Sequence, residues 1–178
     1  MRQDMETILF TEEELRQRVR ELGEAITRDY KDKNPIFVGV LKGSFVFMAD
    51  LVRCVDTPCT LDFMVVSSYG SGVKTTGAVK INKDLSEDIE GRHVIIVEDI
   101  LDSGVTLSYL SKYLMNRNPA SMKIVTLLDK PSRRKAEVFA SYKGFEVEDN
   151  FVVGYGLDYA EKYRNLPYIG ILKPEVYS

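Results

Sequence analysis

The chain has 178 residues, a net charge of −3, and apolar and charged fractions of 44% and 29%, which suits one domain whose core needs no covalent staples. That charge gives no global signal for nucleic acid or for an anionic membrane surface, so neither is expected as a partner. No apolar run approaches the ~20 residues that span a bilayer, and MRQDMETILF has no signal-like apolar core, so the cytoplasm is the expected compartment.

Thr11, Glu12, Glu13 and Glu14 read as a capping box. Leu15, Val19, Leu22, Ile26 and Tyr30 then recur at spacings of three and four, the stripe of an amphipathic helix, and Asn34-Pro35 ends it. IFVGVL (36–41) fits a buried strand. Lys42, Gly43 and Ser44 follow, and FVFMADLV (45–52) reads as a helix capped by Ser44. Cys54 and Cys59 have no second pair and no adjacent histidine, which argues against zinc and for two reduced thiols. LDFMVV (61–66) is a strand, and SSYGSGVKTTG (67–77) is a polar loop, long for a simple turn and of the kind that carries function. AVKIN (78–82) resumes strand character. DLSEDIEGR (84–92) is a turn region, and HVIIVE (93–98) is the central strand. His93, the sole histidine, stands at its head as a packed or surface residue. VTLSYLSKYLMNRN (105–118) is a helix with Leu107, Leu110 and Leu114 on one face. MKIVTLL (122–128) is the next strand, NFVVGYG (150–156) the last, and the remaining segment includes IGIL.

Apolar strands alternating with helices predict a mainly parallel α/β sheet with helices on both faces. Ligands of such sheets bind beyond the C-terminal strand ends. Lys42-Gly43, Glu98-Asp99, the segment from Asp102 to Thr106, and Lys130 all fall there. Asp102, Ser103, Gly104, Val105 and Thr106 lie between a strand and a helix, where unpaired N–H groups, a permissive glycine and two hydroxyls suit a phosphate. The same residues also suit a plain turn with Asp102 or Ser103 as the cap. Glu98 and Asp99, adjacent carboxylates ending an apolar run, need a partner. A ribose diol, a hydrated Mg²⁺ or neighbouring arginines would each serve.

VIIVEDILDSGVT (94–106) resembles the phosphoribosyl-pyrophosphate motif of type I phosphoribosyltransferases. LKGS (41–44), SSYGSGVKTTG, LLDKPSRR (127–134) and FVVGYGLDYAEKYRNLPYIGIL (151–172) resemble, in the same order, the bacterial-type hypoxanthine-guanine phosphoribosyltransferases. The resemblance spans nearly the whole chain. It implies the type I phosphoribosyltransferase fold as a single unit over 1–178, with a core of about 30–145 and a small hood from the N-terminal segment and about 146–178. It also implies purine salvage: transfer of the phosphoribosyl group of 5-phosphoribosyl 1-pyrophosphate to hypoxanthine or guanine, giving IMP or GMP and pyrophosphate. A homodimer or homotetramer is the implied assembly, and Mg²⁺ the implied cofactor.

By resemblance, Glu98 and Asp99 hold the ribose hydroxyls with Mg²⁺ nearby. Asp102, Ser103, Gly104, Val105 and Thr106 hold the 5′-phosphate, and Asp102 is also the general acid–base at purine N7. Lys130 donates to the 6-oxo group, Phe151 stacks on the base, and the Val152 backbone reads its edge. Asp158 lies at the purine and helps hold a second Mg²⁺ with the pyrophosphate. Lys42, Gly43 and Arg164 contact pyrophosphate, where the family commonly has a cis peptide after leucine. Ser68 and Tyr69 sit on a lid. Each residue also has an ordinary reading: a solvated lysine, a core phenylalanine, a turn-capping aspartate, a surface arginine pair. Rival functions are a same-fold transferase for another nucleobase, a non-enzymatic nucleotide sensor that binds RNA, and a mononucleotide hydrolase or kinase using the same loop.

Overall fold

The computed structural model describes residues 1–68 and 79–178. The fold builds outward from its most apolar runs. β2 (Ile36–Leu41), β5 (His93–Leu101) and β6 (Ser121–Asp129) lie side by side and parallel, with β3 (Thr60–Ser68) parallel on the free side of β2. β4 (Val79–Lys83) closes one edge antiparallel to β3. β7 (Tyr142–Glu146) closes the other, parallel to β6, and the order is β4-β3-β2-β5-β6-β7. A strand covered on both faces needs apolar residues at successive positions, which Val94, Ile95, Ile96 and Val97 supply, all fully buried.

Alternate residues of these strands feed two cores. Phe37, Ile95 and Val97 pack with α1 (Glu12–Asp29) and α2 (Phe45–Arg53), while Ile36, Val38, Val94 and Ile96 pack with α3 (Val105–Met115) on the opposite face. The expected stripes do this work: Leu15, Val19, Leu22 and Ile26 on α1, and Leu107, Leu110 and Leu114 on α3. The capping box forms, with Thr11 Oγ1 accepting from the Glu14 N–H at 3.2 Å and Glu14 Oε2 from the Thr11 N–H at 2.8 Å.

A second, three-stranded antiparallel sheet has the order β1-β9-β8, from β1 (Met5–Phe10), β8 (Val152–Val153) and β9 (Ile169–Leu172). Its own small core gathers Met5, Val153, Tyr163, Leu166 and Leu172. β9 is followed by α4 (Pro174–Tyr177).

Several local expectations change. The strand expected over 150–156 pairs only at Val152 and Val153, because positive φ at Gly154, Tyr155 and Gly156 turns the chain away. β5 continues three residues past Glu98, so Asp99 stands on the strand with Glu98 rather than after it. α3 stops at Met115, and Asn118 takes a positive φ of 54°. Ser44 does not cap α2 with its side chain; its buried Oγ donates back to the Val40 carbonyl at 2.7 Å. His93 packs between strands with Nδ1 2.7 Å from Ser121 Oγ, and Cys54 and Cys59 are both free. Ser68 is the exposed last residue of β3. Tyr69 and the rest of the expected lid lie outside the described residues. Among those residues no helix is long and apolar enough to cross a membrane.

Candidate active site

Three parallel strands deliver polar residues to one edge. β5 carries Glu98 and Asp99. Its ladder with β2 ends at Val97, while that with β6 runs on to Leu101, so on the β2 side both carboxylates stand past the last paired residue. They hold each other locally, the Asp99 N–H donating to Glu98 Oε1 at 3.1 Å and the Ile100 N–H to Asp99 Oδ1 at 2.7 Å. Desolvation pushes both carboxyls above their ordinary range. The neighbouring Asp99 charge raises Glu98 further, while hydrogen bonds from Glu98 and the Ile100 N–H, and then the Arg164 charge, draw Asp99 partly back.

Glu98 and Asp99 open onto a cavity of about 260 Å³ whose other polar walls are Asp102, Ser103, Gly104 and Thr106. The residue before α3 is Gly104 at φ +80°, so the cap position itself carries no side chain. Of the plain-turn reading, Ser103 keeps a long contact to the helix start, its Oγ accepting from the Val105 N–H at 3.4 Å, while Asp102 turns to Arg133 instead. The Thr106 and Leu107 N–H groups, next in that first turn, are left for whatever enters the cavity. Glycine is required at 104 twice over: by its φ, and because a Cβ there would lie 2.5 Å from Val138 Cγ1. The loop is pinned from behind, the Ser103 carbonyl accepting from the Lys135 N–H at 2.8 Å.

β6 delivers Lys130, whose N–H donates to the Leu101 carbonyl at 2.9 Å. The side chain is buried, 7% exposed, and its ammonium donates to the Asn150 carbonyl at 2.6 Å. Phe151 follows, partly exposed, then Val152 in β8, paired with Ile171. A chain of alternating charges joins this wall to the phosphate loop. Arg133 Nε lies 3.2 Å from Asp102 Oδ1 and its Nη1 3.5 Å from Asp149 Oδ2, and Lys130 Nζ lies 3.8 Å from Asp149 Oδ1.

β2 ends in Lys42 and Gly43, and the Leu41–Lys42 peptide is cis. Gly43 is so close to β5 that a Cβ on it would stand 1.8 Å from Asp99 Oδ2. Lys42 Nζ pairs with Glu161 at 2.9 Å. Arg164 Nη2 is 3.1 Å from Glu161 and 3.3 Å from Asp158, and its Nη1 donates to the Gly156 carbonyl at 2.7 Å. Its buried Nε has no partner among the described residues. Asp158 also accepts from the Glu161 N–H at 2.8 Å, so it does cap a turn, and it does not line the cavity of Glu98 and Asp99. The structure thus gathers Lys42, Gly43, Asp99 and Arg164 on one flank, and Asp102, Lys130 and Phe151 on the other.

Sequence reasoning passed over Arg133, Asp149 and Glu161. Their only signal was charge in PSRRK, VEDN and AEKYR, and charge alone does not say which side chain turns inward.

A mostly parallel sheet with an acidic strand end feeding a helix-start loop defines a phosphoribosyl transferase domain, and the model of that domain family matches residues 7–160. The hypoxanthine-guanine phosphoribosyltransferase of Bacillus subtilis is 58% identical over 178 residues, covering 100% of this chain and 99% of its own. That of Staphylococcus aureus is 53% identical with the same coverage. A crystal structure of a hypoxanthine phosphoribosyltransferase from S. aureus superposes with a TM-score of 0.98 at 53% identity, covering 100% of this chain and 97% of the other. The chain belongs to the hypoxanthine-guanine phosphoribosyltransferase family.

Proposed function

We propose that the chain transfers the phosphoribosyl group of 5-phosphoribosyl 1-pyrophosphate to N9 of hypoxanthine or guanine, giving IMP or GMP and releasing pyrophosphate. The observation that carries this reading is the shared cavity: two half-buried carboxylates and the glycine-started loop at the head of α3 face one space. A ribose 5-phosphate satisfies both at once, its hydroxyls meeting Glu98 and Asp99 and its phosphate meeting Ser103, Gly104, Val105 and Thr106.

As the C1–O bond breaks, the sugar becomes oxocarbenium-like and charge moves onto pyrophosphate. Lys42, the Gly43 backbone and Arg164 stabilise that charge, and the partnerless Arg164 Nε is a donor in reserve. Asp102 takes the purine proton at N7 as the base bonds to C1. Lys130 has three donors. The Asn150 carbonyl takes one, and another meets the 6-oxo group. Phe151 stacks on the base, the Val152 backbone reads its edge, and Asp158 stands by purine and pyrophosphate. Ser68 and Tyr69 keep water from the sugar. The small sheet serves as the hood, and the assembly is a homodimer or homotetramer.

The donor set fits Mg²⁺. Glu98 and Asp99 are hard oxygen ligands. No three metal-ligating side chains converge among the described residues, and Mg²⁺ is commonly held by one or two carboxylates, waters and substrate phosphates. Glu98 and Asp99 would hold one ion and Asp158 would help hold a second. When bound, Mg²⁺ supplies charge neutralisation at the ribose and pyrophosphate oxygens.

The test is a spectrophotometric assay with phosphoribosyl pyrophosphate, Mg²⁺ and hypoxanthine, guanine, xanthine or adenine in turn. Nucleotide should form with hypoxanthine and guanine. Pyrophosphate release without any purine would make the chain a hydrolase instead.

A further inference from the structure

Phe151 stands at the entrance to the small sheet, where the chain leaves Asn150 and enters β8. Its carbonyl accepts from the Leu172 N–H at 2.8 Å, so the backbone at 151 is tied to the end of β9. Two residues on, α4 begins, and its Tyr177 lies against the Phe151 ring with centroids 4.6 Å apart and planes 20° from parallel. Tyr159 meets Phe151 edge-on, at 5.6 Å and 86°, and meets Tyr177 at 6.4 Å and 67°. Three rings from three separate segments thus close on one another. The helix holding Tyr177 is itself anchored: the Lys173 N–H donates to the Asp4 carbonyl at 3.0 Å, and Val176 packs on the small core of Met5, Val153 and Leu172.

One stacked and one edge-on neighbour restrict the rotation of the Phe151 ring, yet Phe151 keeps 37% of its surface exposed. A lone phenylalanine at that exposure would sample several rotamers, and a base stacking on it would have to freeze them. A held ring presents its open face without that ordering step.

We propose that Tyr177 is a positioning residue for the nucleobase. Its ring backs Phe151, with Tyr159 setting the rotation, so that Phe151 offers one pre-oriented aromatic face to a planar purine. This rests on the reading of Phe151 as the base-stacking residue. The hydroxyl of Tyr177 plays no part; the ring does.

The experiment compares steady-state kinetics of Tyr177→Ala, Tyr177→Phe, Phe151→Ala and the Phe151→Ala/Tyr177→Ala double variant, each saturated in turn with one substrate. Tyr177→Ala should raise KM for hypoxanthine about three- to tenfold, the range of one aromatic pair. The KM for phosphoribosyl pyrophosphate should stay within about twofold, and so should kcat, because loss of a ground-state contact acts on base capture alone. Tyr177→Phe should behave as wild type. The double variant should be no worse than Phe151→Ala, because Tyr177 acts through that ring. An unchanged hypoxanthine KM in Tyr177→Ala beside a raised one in Phe151→Ala overturns the proposal and leaves base stacking standing. An unchanged KM in Phe151→Ala removes the stacking reading itself. A hypoxanthine KM that falls in Tyr177→Ala also overturns the proposal, since the tyrosine would then occupy the face the base needs. A rise in both substrates' KM with a lower melting temperature would overturn the proposal and assign Tyr177 to stability.

Discussion

Asp102 and Lys130 approach the candidate base site from adjacent strands, and Arg133 and Asp149 link their charges. Replacing Asp102 with asparagine keeps the shape and removes the proton acceptor. Turnover should fall about 10²–10⁴-fold, while IMP affinity changes little because the loop amides remain. Single-turnover rates and IMP titration on the same protein separate the two effects, and near-normal turnover would leave Asp102 as a partner of Arg133 only. Lys130→Gln tests base choice. An ammonium has no acceptor, so a 6-amino purine faces donor against donor. Wild type should prefer hypoxanthine and guanine over adenine by at least about 10³ in kcat/KM. The glutamine should narrow that gap, chiefly by losing oxopurine activity. A preserved preference would move discrimination to the backbone at Val152. Gly43→Ala addresses the other flank. The added methyl would overlap Asp99 Oδ2, so either the loop or the carboxylate must shift. The outcome to look for is a loss of at least about tenfold in kcat/KM for phosphoribosyl pyrophosphate, with far-UV circular dichroism unchanged.

Among the elements, α1 gives the plainest stability test. Thr11→Ala removes half of the capping box and should destabilise by about 1 kcal/mol, read as a lower urea midpoint at constant slope with activity intact. That box, the α1 stripe and the buried β2, β5 and β6 were readable because local chemistry and burial pattern agree in them. β1 and β7 were not. METILF buries only its methionine, and YKGFE buries none of its five residues. Such strands are defined by a partner far along the chain. The site divided in the same way. The acids closing an apolar run and the glycine before α3 stand out in order, as resemblance to the family also indicated. The Lys42–Glu161 pair, 119 residues apart, and the Arg133–Asp102 pair, 31 apart, exist only after folding.

At the scale of the molecule, ligand and metal should act as one stabiliser. Phosphoribosyl pyrophosphate at about 100 times its Kd contributes about 2.7 kcal/mol to the folded state, which for a chain of this size raises Tm by about 5–10 °C. With a chelator present the rise should vanish, since Glu98 and Asp99 would repel the bare substrate. A rise that survives chelation would exclude the carboxylates as a metal site. The small sheet adds a constraint of another kind. β1 pairs Ile8 with Gly170 and Phe10 with Ile169, so the strand made early waits for one made some 160 residues later. At about 5–20 residues per second, that is about ten to thirty seconds on the ribosome with an unclaimed strand edge. The parallel core can close during that interval; the small sheet cannot. Nascent chains halted after β7 should therefore carry a formed central sheet beside a sticky, unpaired N-terminal segment, the form in which this protein is most open to capture by a chaperone.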